Sequence, residues 1–189
     1  MLRATGVDIV KQAIAGNYVG TPYSILDCQA FVEQVLHDLG VRKPDGTSYN
    51  WRGSNSMWRN HITWRGSIEE CRTKFGSIPQ GAFLFLLKWD GGERERGYGD
   101  GLGNASHVGL YLGTSPLPCM DSQPSRGVDY CKLNVFTHVG LMGMIDYYNV
   151  PEQTTSSELD AVHTIRNAEC TDEEVLNAMK ILTKYLKGV

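Results

Sequence analysis

Two segments near the N-terminus carry hydrophobic residues at helical spacing. The first, residues 5–15, has Thr5 as a favourable N-cap and Gly16 as a stop. The second, residues 27–39, places its apolar residues along one helical face and is followed by Gly40. The pattern therefore predicts two amphipathic helices at the start of the chain.

Further along, short apolar runs between turn residues predict strands. Residues 82–87 form a continuous apolar run, and residues 107–112 alternate with a period of two. Weaker strand candidates follow at 117–122 and 127–131. Because residues 113–116 have turn chemistry, the second and third candidates are expected to form an antiparallel hairpin.

Two segments, one with three tryptophans and one rich in glycine, lack a sustained period. Residues 41–80 are interpreted as an irregular connection with a short helix around 55–63. Residues 90–106 contain six glycines and are interpreted as a long mobile flap.

The chain divides in character near residue 150. Residues 1–150 carry the predicted helices and strands, whereas 151–157 are linker-like. A capping box at 171–174 begins an amphipathic segment. We therefore expect one domain over 1–150, followed by a linker and a C-terminal amphipathic helix over 151–189.

Composition excludes several classes of function. The chain has 189 residues, a net charge of −3 and no run of more than two basic residues, which disfavours a nucleic-acid binder. The longest nearly apolar run, 81–87, is too short to cross a membrane, and no signal segment is visible. The missing signal segment leads us to expect synthesis in the cytoplasm. The five cysteines lack metal-site spacing, so we expect no metal or cofactor.

Cys28 is the candidate nucleophile. It follows the N-cap residue Asp27 and therefore opens the second predicted helix. Unpaired backbone N–H groups and the helix dipole at this position favour a negatively charged sulfur. The alternative is a buried thiol on an apolar helix face.

A base and an orienting group are expected on the hairpin. His107 begins a predicted strand, and a histidine beside a cysteine can activate it. A hairpin centred near residue 114 places Asp121 opposite His107, where its carboxylate can orient the imidazole. A slip of one residue would present Ser122 or Met120 instead.

Several motifs together resemble the NlpC-type papain-like cysteine peptidases of bacterial cell walls. Residues 20–23 (GTPY) and 27–32 (DCQAFV) resemble the family's segment around the nucleophile. Residues 79–85 (PQGAFLF) resemble its first strand, and 106–113 (SHVGLYLG) its histidine-bearing strand. The resemblance covers about residues 5–148 in the family's order.

The resemblance implies an α+β, papain-like core in which N-terminal helices pack on a central antiparallel sheet. It implies hydrolysis of amide bonds in peptidoglycan stem peptides, between D-glutamate and a diamino acid, without a cofactor. It gives catalytic roles to Cys28 and His107 and a third polar role to Asp121. Tyr23 and the neighbouring Asp27 are then the residues expected to contact substrate or the oxyanion.

The sequence departs from the family at two places. Gln29-Ala30 replaces the usual Ser-Gly after the cysteine, and a Gly-Gly pair before Asp27 is missing. Residues 136–140 and 145–147 resemble phage-associated members, which implies that the protein acts at the cell wall after phage delivery or holin release.

Two alternatives to a stem-peptide endopeptidase remain open at this point. One is an N-acetylmuramoyl-L-alanine amidase of similar fold. The other is a catalytically silent module that binds the cell wall or builds a phage particle. The sequence leaves the oligomeric state open and predicts no membrane insertion.

Two further features have structural interpretations. His138 is a rival imidazole in a Thr-His-Val-Gly context, but its position favours a structural role. Cys119 and Cys131 flank a predicted turn and would bridge in an oxidising compartment, although reduced, buried thiols are the simpler expectation.

Overall fold

A computed structural model of the protein describes residues 4–113 and 116–147 and shows an α+β fold. Helices and strands alternate irregularly along the chain. The helices are α1 (Gly6–Ala15), α2 (Cys28–Asp38), α3 (Ser54–Arg59), α4 (Ile68–Phe75) and α5 (Gly92–Glu95), with a 3₁₀ turn at Leu133–Val135. The strands are β1 (Ile62–Ser67), β2 (Phe83–Lys88), β3 (Asn104–Tyr111), β4 (Cys119–Gln123), β5 (Gly127–Cys131) and β6 (His138–Met142).

The strands form one six-stranded sheet in the order β1-β6-β2-β3-β4-β5. Every neighbouring pair in this sheet is antiparallel. Helix α2 packs against β3 and β4, while α3 packs against β3. The site described below therefore has two of its walls on adjacent strands and a third on α2.

The two predicted N-terminal helices are confirmed. Thr5 caps α1 in a capping box with Asp8. The α2 cap is Asp27, and the apolar face of the helix is buried. This buried face consists of Cys28, Phe31, Val32, Val35 and Leu36.

The hydrophobic core lies between α2 and the sheet. The largest fully buried side chains in the described part of the chain include Phe31, Phe83, Phe85, Ile9, Leu36, Met57, Leu84, Leu110 and Met120. Removing one such phenylalanine side chain typically costs about 3–5 kcal/mol. The strands that carry the site therefore rest on a rigid support.

The predicted strands are confirmed, but the connection over 41–80 was only partly anticipated. The short helix expected around 55–63 is α3, which ends earlier, and β1 and α4 were not expected at all. Strand β1 contains Arg65 and Gly66, which interrupt an alternating pattern. A capping box of Ser67 with Glu70 begins α4 and was a visible signal.

The prediction of a flap over 90–106 requires correction. The segment contains α5, and its last residues belong to β3. Two contacts hold this segment against α3. Arg59 forms a bidentate ion pair with Asp100, and the Trp58 indole N–H donates to the Leu102 carbonyl at 3.0 Å. Strand β3 begins early because the Asn104 side chain is held by partners on either side.

The predicted hairpin register was wrong by two residues. Strand β3 pairs with β4 so that Gly109, not His107, lies opposite Asp121. The Leu112 N–H donates to the Pro118 carbonyl at 2.7 Å, so the ladder continues to that pair and the loop is longer than expected. A shift of two residues keeps each side chain on its predicted face, because the period of a strand is two.

The described residues belong to a unit spanning Met1–Tyr148, close to the predicted domain end at 150. The predicted linker and amphipathic helix over 151–189 lie outside the described residues. Within the part of the chain that the structure describes, no helix combines the length and apolar character needed to cross a bilayer.

Candidate active site

Cys28 sits at the first position of α2, at the edge of the helix face that packs on the sheet. Its exposed fraction is 7%, so the sulfur is almost covered. The next residues on this face, Phe31 and Val32, are fully buried and fix the helix against β3 and β4. The helix therefore holds the thiol against the sheet rather than in open solvent.

Hydrogen bonds hold the loop before Cys28 against β5 and β4. Gly20 donates to the Val128 carbonyl at 2.8 Å, and Val128 donates to the Thr21 carbonyl at 2.9 Å. Gly127 permits this approach, because its φ is +70° and a Cβ there would overlap the Thr21 carbonyl. The buried Ser122 hydroxyl also donates to the Leu26 carbonyl.

The backbone at the start of α2 has one uncommitted donor. Asp27 Oδ1 accepts from the N–H groups of Gln29 at 3.0 Å and Ala30 at 2.8 Å, and the Asp27 carbonyl accepts from Phe31. Among the described residues, no acceptor engages the N–H of Cys28. That N–H is therefore available to an oxyanion at the sulfur.

His107 and Asp121 form a direct pair between β3 and β4. The Nε2 atom of His107 lies 2.7 Å from Asp121 Oδ2. Because Asp121 is opposite Gly109, its carboxylate must reach diagonally along the strand to the histidine. A Cβ on Gly109 would lie 3.0 Å from the Asp121 Cβ and 2.7 Å from the Phe136 ring, so glycine leaves room for both.

Asp121 is completely buried and has three donors around it. Besides His107, Gln123 Nε2 donates to Oδ2 at 2.9 Å, and Arg126 forms a short ion pair with Oδ1. Burial alone would raise the pKa of Asp121, but these hydrogen bonds and the positive charges of His107 and Arg126 lower it below 3.8. The carboxylate is therefore ionised at neutral pH.

The protonation of His107 follows from this partner. An ionised carboxylate only accepts hydrogen bonds, so Nε2 must carry a proton. In the neutral imidazole, the lone pair is then on Nδ1, the nitrogen left for the Cys28 thiol. The imidazole ring also stacks on Phe136, with 5.7 Å between centroids and 7° between planes, which fixes its orientation.

The pKa of His107 is strongly raised. Burial alone would lower it, but hydrogen bonds with Asp121 and Cys28 and their negative charges raise the pKa from 6.5 to about 9. The imidazolium form is therefore favoured at neutral pH, as a thiolate–imidazolium pair requires.

Tyr23 lies beside the same thiol. Burial, the nearby charges of Cys28 and Asp27, and a hydrogen bond with Cys28 all raise the pKa of its hydroxyl. A neutral phenol next to the sulfur can donate a hydrogen bond to bound substrate. Asp27, in contrast, commits one carboxylate oxygen to the helix cap.

The structure thus brings together four predicted residues: Cys28, His107, Asp121 and Tyr23. The alternatives for the third position lie elsewhere, because Ser122 bonds to a backbone carbonyl and Met120 is fully buried in the core.

The other predicted features lie away from this group. His138 is on β6, separated from β3 by β2, and its Nδ1 contacts Thr137 at 2.9 Å. Burial lowers the pKa of His138. Cys119 and Cys131 face each other across β4 and β5 as free, buried thiols. A hydrogen bond with Cys119, together with burial, raises the pKa of Cys131.

Sequence reasoning missed the residues that support Asp121. Gln123 lies two positions further along the same strand, so the strand period could have placed it on the same face. Arg126 lies in the turn after β4, and nothing in the local pattern indicated that it folds back. Within the described ranges, no group of three or more His, Cys, Asp or Glu side chains is arranged to hold a metal ion.

Comparisons with protein-family models, with curated proteins and with solved structures return no match for this chain. The functional argument therefore depends on the geometry of the site.

Stability should depend on the protonation of His107. A histidine whose pKa is higher in the folded state stabilises the fold fully below its unfolded value, 6.5, and loses that contribution as pH rises through about 9. We expect the free energy of unfolding to fall by roughly 3 kcal/mol over this window. Urea titrations at both ends of the window would measure it.

Two variants make that measurement specific. His107→Gln should remove most of the pH dependence, while His37→Gln, which changes a largely exposed histidine, should leave it intact. If the free energy of unfolding depended equally on pH in wild type and in His107→Gln, the assignment would be contradicted.

Proposed function

We propose that the protein is a cysteine hydrolase that cuts amide bonds in peptidoglycan stem peptides, with a papain-like arrangement of the NlpC type. The main support is the juxtaposition of Cys28, at the start of a helix, with a histidine oriented by a buried carboxylate. The matching motifs around Cys28 and His107 support the choice of substrate.

The reaction follows from the assignment of protons. Nδ1 of His107 takes the thiol proton, and the thiolate attacks the carbonyl carbon of the scissile amide. The backbone N–H of Cys28 stabilises the resulting oxyanion. The imidazolium then protonates the departing amine, which leaves a thioester. Water, deprotonated by the same nitrogen, attacks this thioester and regenerates the thiol.

An open cleft in the loop region before α2 offers space for a peptide. It has a volume of about 500 Å³ and adjoins Tyr23 on the loop before α2. Its other wall is the turn between β4 and β5. The cleft is lined by Gly20, Pro22, Tyr23, Ser24, Pro124, Ser125, Arg126 and Gly127. Tyr23 connects this cleft to the site, because it also forms a hydrogen bond with Cys28.

Gln29, one of the departures from the family, has a structural task here. Its side-chain oxygen accepts from the Gly53 N–H at 2.7 Å, which ties α2 to the residues just before α3. The substitution therefore fixes one wall of the site and leaves the sulfur and imidazole in place. It is compatible with catalysis.

Mass spectrometry of digested peptidoglycan tests the proposal. The protein should release fragments with a new amino terminus on the diamino acid, and prior treatment with iodoacetamide should abolish the release. A new amino terminus on L-alanine would instead identify an amidase of the same mechanism. No release of either fragment by the untreated protein would favour a silent wall-binding or phage structural module.

The proposed site of action is the cell wall, reached by phage delivery or holin release. The proposed partner is the stem peptide itself, and the chemistry uses no cofactor.

A further inference from the structure

The two oxygens of the Asp121 carboxylate have different partners. Oδ2 accepts from His107 at 2.7 Å and from Gln123 at 2.9 Å, whereas Oδ1 pairs with Arg126. Arg126 reaches Asp121 from the turn that follows β4, and its side chain is 26% exposed. The guanidinium is therefore one residue removed from the imidazole, with the buried carboxylate between them.

This arrangement restrains the carboxylate as well as neutralising it. A carboxylate with one engaged oxygen can rotate about its terminal torsion and weaken its bond to the histidine. A charge-assisted bond to the second oxygen prevents that rotation. Because Asp121 is fully buried, the guanidinium also supplies the charged partner that a buried carboxylate needs.

The titratable groups around the His107–Asp121 pair come from α2 with its preceding loop and from β5. Helix α2 and its loop contribute Cys28 and Tyr23, while β5 contributes Asp129 and Cys131. Asp129 lies 3.7 Å from Arg126 and is half exposed, so it is a weak second partner. Arg126 is the only permanently positive group among these neighbours in the described part of the chain.

We propose that Arg126 is a positioning residue: by clamping Oδ1 of Asp121, it keeps Oδ2 aimed at His107 and sets the pH range in which the thiolate–imidazolium pair exists. This inference rests on the proposed function. Arg126 touches neither the sulfur nor the imidazole, but it also lines the proposed cleft, so Cys28 alkylation, which needs no bound peptide, isolates its effect through Asp121.

The effect of removing Arg126 has a definite direction. Losing its positive charge favours the protonated imidazole and moves the pH profiles to higher pH, whereas freeing the carboxylate lets it turn away from His107 and lowers the maximal rate. A residue that served only the fold would lower activity without moving either limb of the pH profile.

The test compares Arg126→Gln and Arg126→Lys with wild type. The pH dependence of Cys28 alkylation by iodoacetamide is followed by mass spectrometry, and fragment release from purified peptidoglycan is measured in parallel. In Arg126→Gln we expect both pH profiles to shift upward by about one unit and maximal fragment release to fall about tenfold. Arg126→Lys keeps the positive charge, so its pH profiles should coincide with those of wild type. Its maximal rate of fragment release should recover only in part, because lysine lacks the planar guanidinium.

A matched control changes the same type of residue elsewhere. Arg72→Gln removes an exposed arginine from α4, which packs at the β1 end of the sheet, and should leave both profiles unchanged. It accounts for the general effect of one lost charge. Thermal unfolding of each variant shows whether it is folded.

The outcomes separate the two proposals. If wild-type Cys28 reacts no faster near neutral pH than a simple thiol, the proposed hydrolase fails. If wild type reacts rapidly but Arg126→Gln shows unshifted limbs, only the role of Arg126 is overturned. Unshifted limbs in Arg126→Gln together with lost stability would assign Arg126 to the fold alone.

Discussion

Replacing Cys28 with serine is expected to lower fragment release from peptidoglycan by at least about 10⁴-fold. A hydroxyl in the same place does not ionise near neutral pH, and Asp121 still raises the pKa of His107, which makes its neutral, basic form less available. The site is therefore suited to a thiolate beside an imidazolium and poorly suited to a neutral hydroxyl. Rates measured on purified peptidoglycan with matched protein concentrations would test this.

The control for this variant is a second buried thiol. Cys71 is on α4, outside the site, and Cys71→Ala should retain most of the activity. Both variants should unfold cooperatively, since each replaces a buried thiol by a side chain that fits the same space. If Cys28→Ser retained more than about a tenth of the wild-type rate, the sulfur would not be the nucleophile.

Replacing His107 with glutamine is expected to lower the same rate by about 10³–10⁴-fold. Glutamine can still hydrogen-bond to Asp121, so the hairpin should keep its register, but it cannot take the thiol proton or protonate the amine. The iodoacetamide reactivity of Cys28 at neutral pH should fall to that of an ordinary thiol. Alkylation and fragment release therefore report the same loss independently.

His138→Gln is the matched control, because it removes the rival imidazole from β6. His138 packs edge-on against Trp58, with 5.9 Å between ring centroids, so a modest loss of stability is expected but no loss of Cys28 reactivity. The reverse result, an inactive His138→Gln protein and an active His107→Gln protein, would move the base to β6 and refute the site described here.

The predicted hairpin shows how far sequence reasoning reached. The pattern located both strands and indicated His107 and Asp121 as partners, but it set them directly opposite each other. The structure places Gly109 opposite Asp121 and joins the pair diagonally. The register depended on whether the ladder includes Pro118, whose carbonyl accepts from Leu112, and the local pattern could not decide that.

Strand β6 shows a different limit. Its sequence HVGLM closely copies the HVGLY segment of β3, so the local pattern could not separate the two histidines. What distinguishes them is the order of strands, with β2 between them, and the partner of each ring: the buried Asp121 hydrogen-bonds to His107, whereas Thr137 contacts His138. Such differences arise from long-range pairing.

The sequence by itself determined the helix that presents Cys28, the strands that carry His107 and Asp121, and the faces on which these side chains lie. These features follow from local periodicity and capping, which involve residues a few positions apart. Only the tertiary structure decided the strand register, the space that Gly109 leaves for the Asp121 side chain, and the ion pair between Arg126 and Asp121. Those depend on atoms from separate strands and turns meeting in a packed interior, where one missing side chain opens the space that another needs.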